Sequence, residues 1–313
     1  MRVLLTRRLP SVVLAKLEAV ASVDVWDGDG DMPHDELLAR AAGADAVLSM
    51  LTDHVTAEVF DGAPRLRVVA NAAVGFNNID LAAARRRGVV VTNTPDVLTD
   101  TVADFTWALI LGLTRRLGEG ERLLRSGAWT GWAFDQLLGV DLRGRQLGVV
   151  GFGRIGRAVA SRAAAFGMRV AAFTRRPEAL PGDVTPLSLD ALLNTSDIVS
   201  LHVPLSDETR HIVDRAALVR MKRSAYLVNT SRGPVLDEEA LAWALGERLI
   251  AGAALDVYED EPAVNGGLLR LDSVLLLPHL GSATRETRTA MASLAADNVV
   301  AVLSGQPPLT PVP

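Results

Sequence analysis

Short apolar runs alternate with Ala/Leu/Arg-rich stretches of helical periodicity from one end of this 313-residue chain to the other. Runs at 3–5, 23–26, 46–49, 68–70 and 89–92 come first. After a long helical region they resume at 147–150, 170–173, 198–202, 226–229, 252–257 and 274–277. Several are apolar at every position, as strands are when a parallel sheet is covered on both faces. Alternation of this kind specifies a doubly wound α/β architecture. Five strands before residue 100 and six after 145 predict two such sheets, six being the number in a full dinucleotide-binding sheet. At roughly 150 residues per domain the length agrees, and each half is large enough to bury its own core.

The spacing of Val102, Phe105, Leu109, Leu113, Leu117 and Leu124 predicts one long helix over 100–127. A last helix is expected over 283–303, ahead of the Pro-rich stretch 307–313. If that helix packs back on the first sheet, the first domain is discontinuous. The expected boundaries are then 1–99 with 284–313, and 100–283.

Composition narrows the chemistry. The chain has no cysteine, which removes disulfides, thiolate metal sites and cysteine nucleophiles. Lys16 and Lys222 are its only lysines, so a lysine Schiff base or P-loop has almost no candidate. A net charge of −5 gives no basic footprint for nucleic acid. With 49% hydrophobic and 22% charged residues the chain reads as globular, not disordered. The opening Met1-Arg2-Val3-Leu4-Leu5-Thr6 reads as a strand, not a signal peptide, and the apolar run 105–113 is far short of the ~20 residues that span a bilayer. A soluble, cytoplasmic protein with no metal is the expectation.

Gly151-Phe152-Gly153-Arg154-Ile155-Gly156 is a G-x-G-x-x-G turn, fed by the apolar run 147–150 and followed by a helical pattern. Gly151 suits the tight turn, Gly153 the close approach of a pyrophosphate, and Gly156 the packing of helix on strand. A helix N-terminus at that point offers free N–H groups and a favourable dipole to an anion. The acidic residue that usually binds a ribose 2′-hydroxyl some 20 residues later is missing. Thr174-Arg175-Arg176 stands in its place, and guanidinium forks suit a 2′-phosphate, so NADP(H) is the expected cofactor, with NAD(H) the alternative.

Three later motifs each follow a strand: Asn229-Thr230-Ser231-Arg232-Gly233, Asp256 to Pro262, and Pro278-His279-Leu280-Gly281-Ser282-Ala283-Thr284. Ligands of a doubly wound sheet bind at the C-terminal strand ends. An α-keto acid needs a fork for its carboxylate, a proton donor for its carbonyl oxygen, and a partner that keeps the donor protonated. Arg232, His279 and Glu261 meet these needs in that order. Glu259 and Asp260 are acidic neighbours of Glu261, while His34, His54, His202 and His211 read as surface or structural histidines.

These motifs, with Asn71-Ala72-Ala73-Val74-Gly75-Phe76-Asn77-Asn78-Ile79-Asp80, Val91-Thr92-Asn93-Thr94-Pro95 and His202-Val203-Pro204-Leu205, resemble the D-isomer-specific 2-hydroxyacid dehydrogenase family, most of all its glyoxylate/hydroxypyruvate reductases. The resemblance implies a Rossmann cofactor domain over 100–283 and a flavodoxin-like substrate domain from the remainder, with substrate in a cleft between them. It implies that Arg232 binds the carboxylate together with the Val74 and Gly75 amides. His279 is then the acid/base and Glu261 its orienting, pKa-raising partner. Further cofactor contacts carry over to Thr101, Arg154, Ile155, Val203, Pro204, Thr209, Thr230, Asp256, His279 and Ser282. Leu51 and Trp132 match positions that shape a small substrate pocket, the tryptophan reaching in from the neighbouring subunit of a homodimer; ordinary loop packing is the other reading of Trp129 and Trp132.

Formate dehydrogenases of similar pattern carry Gln where Glu261 stands, and phosphite dehydrogenases carry Lys where Val74 stands. The expected reaction is therefore NADPH-dependent reduction of glyoxylate, hydroxypyruvate or a similar 2-keto acid. The alternatives are a D-lactate, phenylpyruvate or phosphoglycerate type of dehydrogenase, and a non-catalytic dinucleotide-sensing protein. An S-adenosylmethionine methyltransferase also uses a glycine-rich first turn, but has no need of the ordered Arg, Glu and His motifs.

Overall fold

The computed structural model describes all 313 residues, which form two compact units, 1–98 with 284–313 and 99–283. Unit 1 runs β1 (Arg2–Leu5), α1 (Ser11–Glu18), β2 (Ser22–Val25), α2 (His34–Ala41), β3 (Ala46–Ser49), α3 (Ala57–Gly62), β4 (Val68–Asn71), α4 (Leu81–Arg87) and β5 (Val90–Thr92). Its five strands pair in parallel in the order β2-β1-β3-β4-β5, the flavodoxin-like order. Successive side chains serve opposite faces. Val3 and Leu5 of β1 join one core cluster with Val13 and Leu17 of α1, whereas Leu4 joins a second cluster with Leu37 and Phe60.

Unit 2 begins with α5 (Thr99–Thr114) and α6 (Leu117–Arg125). It continues through β6 (Gln146–Val150), α7 (Arg154–Ala163), β7 (Arg169–Phe173), β8 (Val184–Pro186), α8 (Leu189–Thr195) and β9 (Ile198–Leu201). Then come α9 (Arg215–Arg220), β10 (Tyr226–Asn229), α10 (Glu238–Gly246), β11 (Gly252–Leu255) and β12 (Val274–Leu276). The sheet order is β12-β11-β10-β9-β6-β7-β8, again all parallel. Renumbered within the unit this is 3-2-1-4-5-6-7, the dinucleotide-binding order with one strand added. Helices α5 and α7 cover one face, and α8, α9 and α10 the other. The last helix, α11 (Arg285–Leu303), returns to unit 1, where Ala292, Ala295, Ala296 and Val299 fill the cluster against α1, β3 and β4. Side-chain N-caps at Asp80, Ser188, Asp214, Asp237 and Thr284 start α4, α8, α9, α10 and α11.

Two expectations need correction. Unit 2 has seven strands, not six: β8 is three residues long, ends in proline and lies at the sheet edge, where a missing N–H is tolerated. The helix expected over 100–127 is two helices. The Thr114 carbonyl, which a continuous helix would give to the Gly118 N–H, instead accepts the Val140 N–H at 3.0 Å, and Arg116 turns left-handed at φ +54°. Arg116 then grips Glu119 through two hydrogen bonds at the start of α6. Leu117 and Leu124, which carried the apolar spacing onward, are 61% and 63% exposed. No helix is long and apolar enough to cross a membrane.

Candidate active site

The glycine-rich turn of unit 2 joins β6 to α7, with Gly153 in the N-cap position. Gly151 adopts φ +94°, and a Cβ there would lie 2.6 Å from the His202 carbonyl oxygen. A Cβ on Gly156 would overlap the Gly151 carbonyl oxygen, so helix and strand approach as closely as they do only because this residue is glycine. Gly153 differs, because a Cβ there would meet open space. The protein's own packing does not demand glycine at 153, and the close approach of a ligand would. Together with the N-terminal end of α7, whose dipole favours an anion, this turn fits a dinucleotide pyrophosphate. Arg154 and Ile155 form the first residues of α7.

At the end of β7, Thr174 Oγ1 accepts the Arg176 N–H at 3.3 Å, and Arg175 and Arg176 are both exposed. Val203 follows β9, and Thr209 closes the next loop, its hydroxyl donating to the Pro204 carbonyl at 2.6 Å. Thr101 lies in the first turn of α5, and Thr230 Oγ1 is 3.0 Å from Thr106 Oγ1 of the same helix. His202, next to these, is structural. Its Nε2 lies 2.8 Å from Ser200 Oγ, and burial pulls its pKa down to about 3.

The three later motifs sit beyond the C-terminal ends of β10, β11 and β12. Asn229 organises the first: its Oδ1 accepts the Ser231 N–H and hydroxyl, and its Nδ2 donates to the Arg232 carbonyl at 3.0 Å. The Arg232 Nη1 bonds the Ser231 carbonyl at 2.7 Å. Burial lowers the guanidinium pKa, opposed by the negative charge of Glu261. A guanidinium keeps its charge in such a setting.

In the second motif Glu261 divides its two oxygens. Oε1 accepts the Tyr258 N–H at 3.1 Å, and Oε2 lies 2.8 Å from His279 Nδ1. Burial pushes the Glu261 carboxyl up, but the hydrogen bond and charge of His279, the Tyr258 amide and Arg232 outweigh it, and the net pKa is lowered. Glu259, two residues earlier, pairs with a different histidine, His211, at 2.8 Å. Asp256 is 1% exposed, and its carboxylate accepts the Leu280 and Gly281 N–H groups at 2.6 and 2.8 Å. Asp256 thus anchors the turn that presents His279, with Ser282 just beyond it.

Tyr258 and Asn229 were missed among the candidate residues. Tyr258 donates to the Leu277 carbonyl at 2.8 Å, and burial raises its pKa to about 12. An asparagine at a strand end before a turn was the available signal for Asn229.

In unit 1 the turn after β4 holds Val74 and Gly75. Asn93 Nδ2 takes the Val74 carbonyl at 2.7 Å and Asn71 Nδ2 the Gly75 carbonyl at 2.9 Å, which leaves the two N–H groups without an acceptor in the chain. Leu51 follows β3 in a loop held by Asp53, whose carboxylate accepts the Met50 N–H at 2.6 Å. Trp132, in unit 2, is 81% exposed, so its ring is not packed into its own chain.

Residues 107–281 match the family described as D-isomer specific 2-hydroxyacid dehydrogenase, NAD binding domain. A glyoxylate reductase of Thermococcus kodakarensis is 47% identical over 99% of this chain and 95% of its own length. One from Korarchaeum cryptofilum is 47% identical over 98% and 94%. Among solved structures, a Thermus thermophilus protein superposes with a TM-score of 0.95 at 47% identity over 100% of both chains. The NADPH-dependent glyoxylate/hydroxypyruvate reductase of Sinorhizobium meliloti, solved with NADP and malonate, gives 0.89 at 36% identity over 99% of this chain and 96% of that one. The protein is an oxidoreductase with a nicotinamide dinucleotide cofactor. On the full-length match in sequence and fold, the chain belongs to the D-isomer-specific 2-hydroxyacid dehydrogenase family.

Proposed function

We propose that the protein reduces a small 2-keto acid, glyoxylate or hydroxypyruvate, to the 2-hydroxy acid, with NADPH as the preferred cofactor. The observation that carries this reading is the 2.8 Å pair of His279 Nδ1 and Glu261 Oε2 with the charge of Arg232 acting on the same carboxylate. Arg232 binds the substrate carboxylate through its fork. Glu261, ionised below the usual carboxylate range, accepts from Nδ1 and so fixes which ring nitrogen faces outward. His279 Nε2 then gives its proton to the carbonyl oxygen as the alcohol forms. Bound NADPH would supply the hydride that adds to the keto carbon. The Leu51 side chain and the Val74 and Gly75 N–H groups are assigned to the substrate, and the free amides suit an anionic oxygen.

The preference for NADPH is supported by the exposed Arg175 and Arg176 after β7, where an acidic residue would favour NADH, and by the NADPH-dependent Sinorhizobium meliloti relative. The cofactor contacts assigned above to Thr101, Arg154, Thr209, Thr230, Asp256 and Ser282 belong to the same reading. A homodimer completes it: Trp132, Phe134, Leu117 and Leu124 are apolar and exposed, as residues covered by a second copy would be.

The test is NADPH consumption across a panel of 2-keto acids, with NADH beside it, in the native protein and in an Arg175→Ala/Arg176→Ala double variant. Glyoxylate or hydroxypyruvate should show the highest kcat/KM, and the double variant should lose its preference for NADPH over NADH. Tight NADPH binding without turnover on any keto acid would instead favour a non-catalytic sensor, and native preference for NADH would overturn the cofactor assignment.

A further inference from the structure

Glu238 opens α10, yet it is 6% exposed. The helix start does not need it there, because Asp237 already caps the Ala240 N–H and the neighbouring Glu239 is exposed in the same first turn. Taking a carboxylate out of water is unfavourable unless new hydrogen bonds replace the solvent. The replacements come from the loop that carries Glu261. Glu238 Oε1 accepts the Glu259 N–H at 2.5 Å, and the Glu238 N–H donates in return to Glu259 Oε1 at 2.8 Å. Glu238 Oε2 lies 3.4 Å from the Asn265 N–H. Glu259 Oε2 is 2.8 Å from His211 Nε2, and the His211 N–H donates to the Pro234 carbonyl at 2.8 Å.

From this cluster short paths lead to each proposed catalytic group. Pro234 lies two residues past Arg232, and between them Gly233 packs so closely that a Cβ would overlap the Tyr258 carbonyl. Tyr258, next to Glu259, holds Glu261 Oε1 through its N–H at 3.1 Å. Its hydroxyl holds the Leu277 carbonyl at 2.8 Å, two residues before His279. We propose that Glu238, Glu259 and His211 form a clamp that positions Arg232, Glu261 and His279 for the reduction without touching substrate, an inference that rests on the function proposed above.

Burial, reinforced by the charges of Glu259 and Asp260, raises the Glu238 carboxyl above its usual value against the opposing pull of the two backbone amides. A residue that served only the helix dipole would be as exposed as Glu239. Displacements of about 1 Å in a reacting constellation lower turnover by up to about 100-fold, so a clamp of this kind acts on kcat.

The experiment compares Glu238→Ala, Glu259→Ala and the milder Glu238→Gln and Glu259→Gln in the full-length protein. The alanine variants are expected to lower kcat about tenfold with little change in the dissociation constant for NADPH, and to displace the limb of the pH–rate profile that belongs to the His279–Glu261 pair. The glutamine variants keep one acceptor oxygen and should recover most of kcat. NMR titration of the His279 ring, which needs no substrate, should move in the alanine variants. Unchanged kcat, pH profile and ring titration with only a lower Tm would overturn the clamp. Absence of turnover in the native protein would overturn the function instead, and the ring titration would still decide the clamp. If an alanine variant does not fold, the same readings are taken on Glu238→Asp and Glu259→Asp, whose shorter side chains keep the charge but cannot span the same hydrogen bonds, and native behaviour in both overturns the proposal.

Discussion

His279 stands at φ +54°, a region that costs a side-chain-bearing residue about 1–2 kcal/mol. The backbone tolerates this because its N–H is shared between the Asp256 and Leu277 carbonyls and because Asp256 holds the next two amides. The ring is thereby delivered to Glu261. Replacing His279 with alanine should cut kcat by about 10²- to 10⁴-fold while far-UV circular dichroism and NADPH binding stay native. Near-native turnover would remove the proposed acid/base. A different prediction concerns Asp53 in unit 1. Burial raises its carboxyl pKa, against hydrogen bonds from Thr6 and Met50, and its Oδ1 has no partner. A carboxyl raised in the fold penalises the ionised native state at pH above its folded value, and the penalty disappears below the unfolded value of about 3.9. Asp53→Asn should therefore raise Tm at pH 7, and the gain should vanish near pH 4. A Tm lowered at pH 7 would contradict this.

The βα turn at 151–156 shows how the sequence of one segment sets its backbone and packing. Three glycines have three different reasons: backbone angle at Gly151, helix–strand contact at Gly156, and empty space at Gly153. Gly156→Ala must push α7 away from β6, and overpacking of this sort typically costs about 1–3 kcal/mol. Tm and NADPH affinity should fall together in that variant. Gly153→Ala meets nothing in the protein, so it should leave Tm nearly native while weakening NADPH. Calorimetry and fluorescence titration separate the two outcomes. The break between α5 and α6 shows the opposite relation: apolar spacing ran straight through it, but a carbonyl captured by Val140 ended the helix.

Unit 1 is closed by a segment far away in the chain. Helix α11 contributes Ala292, Ala295, Ala296, Val299, Val302 and Leu303 to the cluster that also buries Val3, Leu5 and Leu17. Fully burying one Val or Leu side chain stabilises by about 1.5–3 kcal/mol, and a domain has only about 5–15 kcal/mol in total. A chain ending at Ala283 should therefore fail to fold residues 1–98, seen as rapid proteolysis of that segment. Survival of that segment in limited proteolysis would show that α11 is dispensable.

Strand–helix alternation, the all-apolar runs and the glycine spacing were local signals, and they sufficed for the two parallel sheets and the tight turn between β6 and α7. The edge strand β8 escaped notice because three residues ending in proline have no periodicity to read. The Arg232, Glu261 and His279 motifs were legible because each follows a strand end. Only the family resemblance singled out Glu261 for His279; spacing along the chain could not say which of Glu259 and Glu261 faces which histidine. That depends on the path of the 256–262 loop, which hydrogen bonds to Glu238 and Tyr258 set across 21 and 3 residues of sequence. Local composition specifies elements because backbone preference and hydrophobic period act over a few residues. Side-chain pairing in the site rests on contacts between distant segments, and those exist only once the sheet has brought its strand ends together.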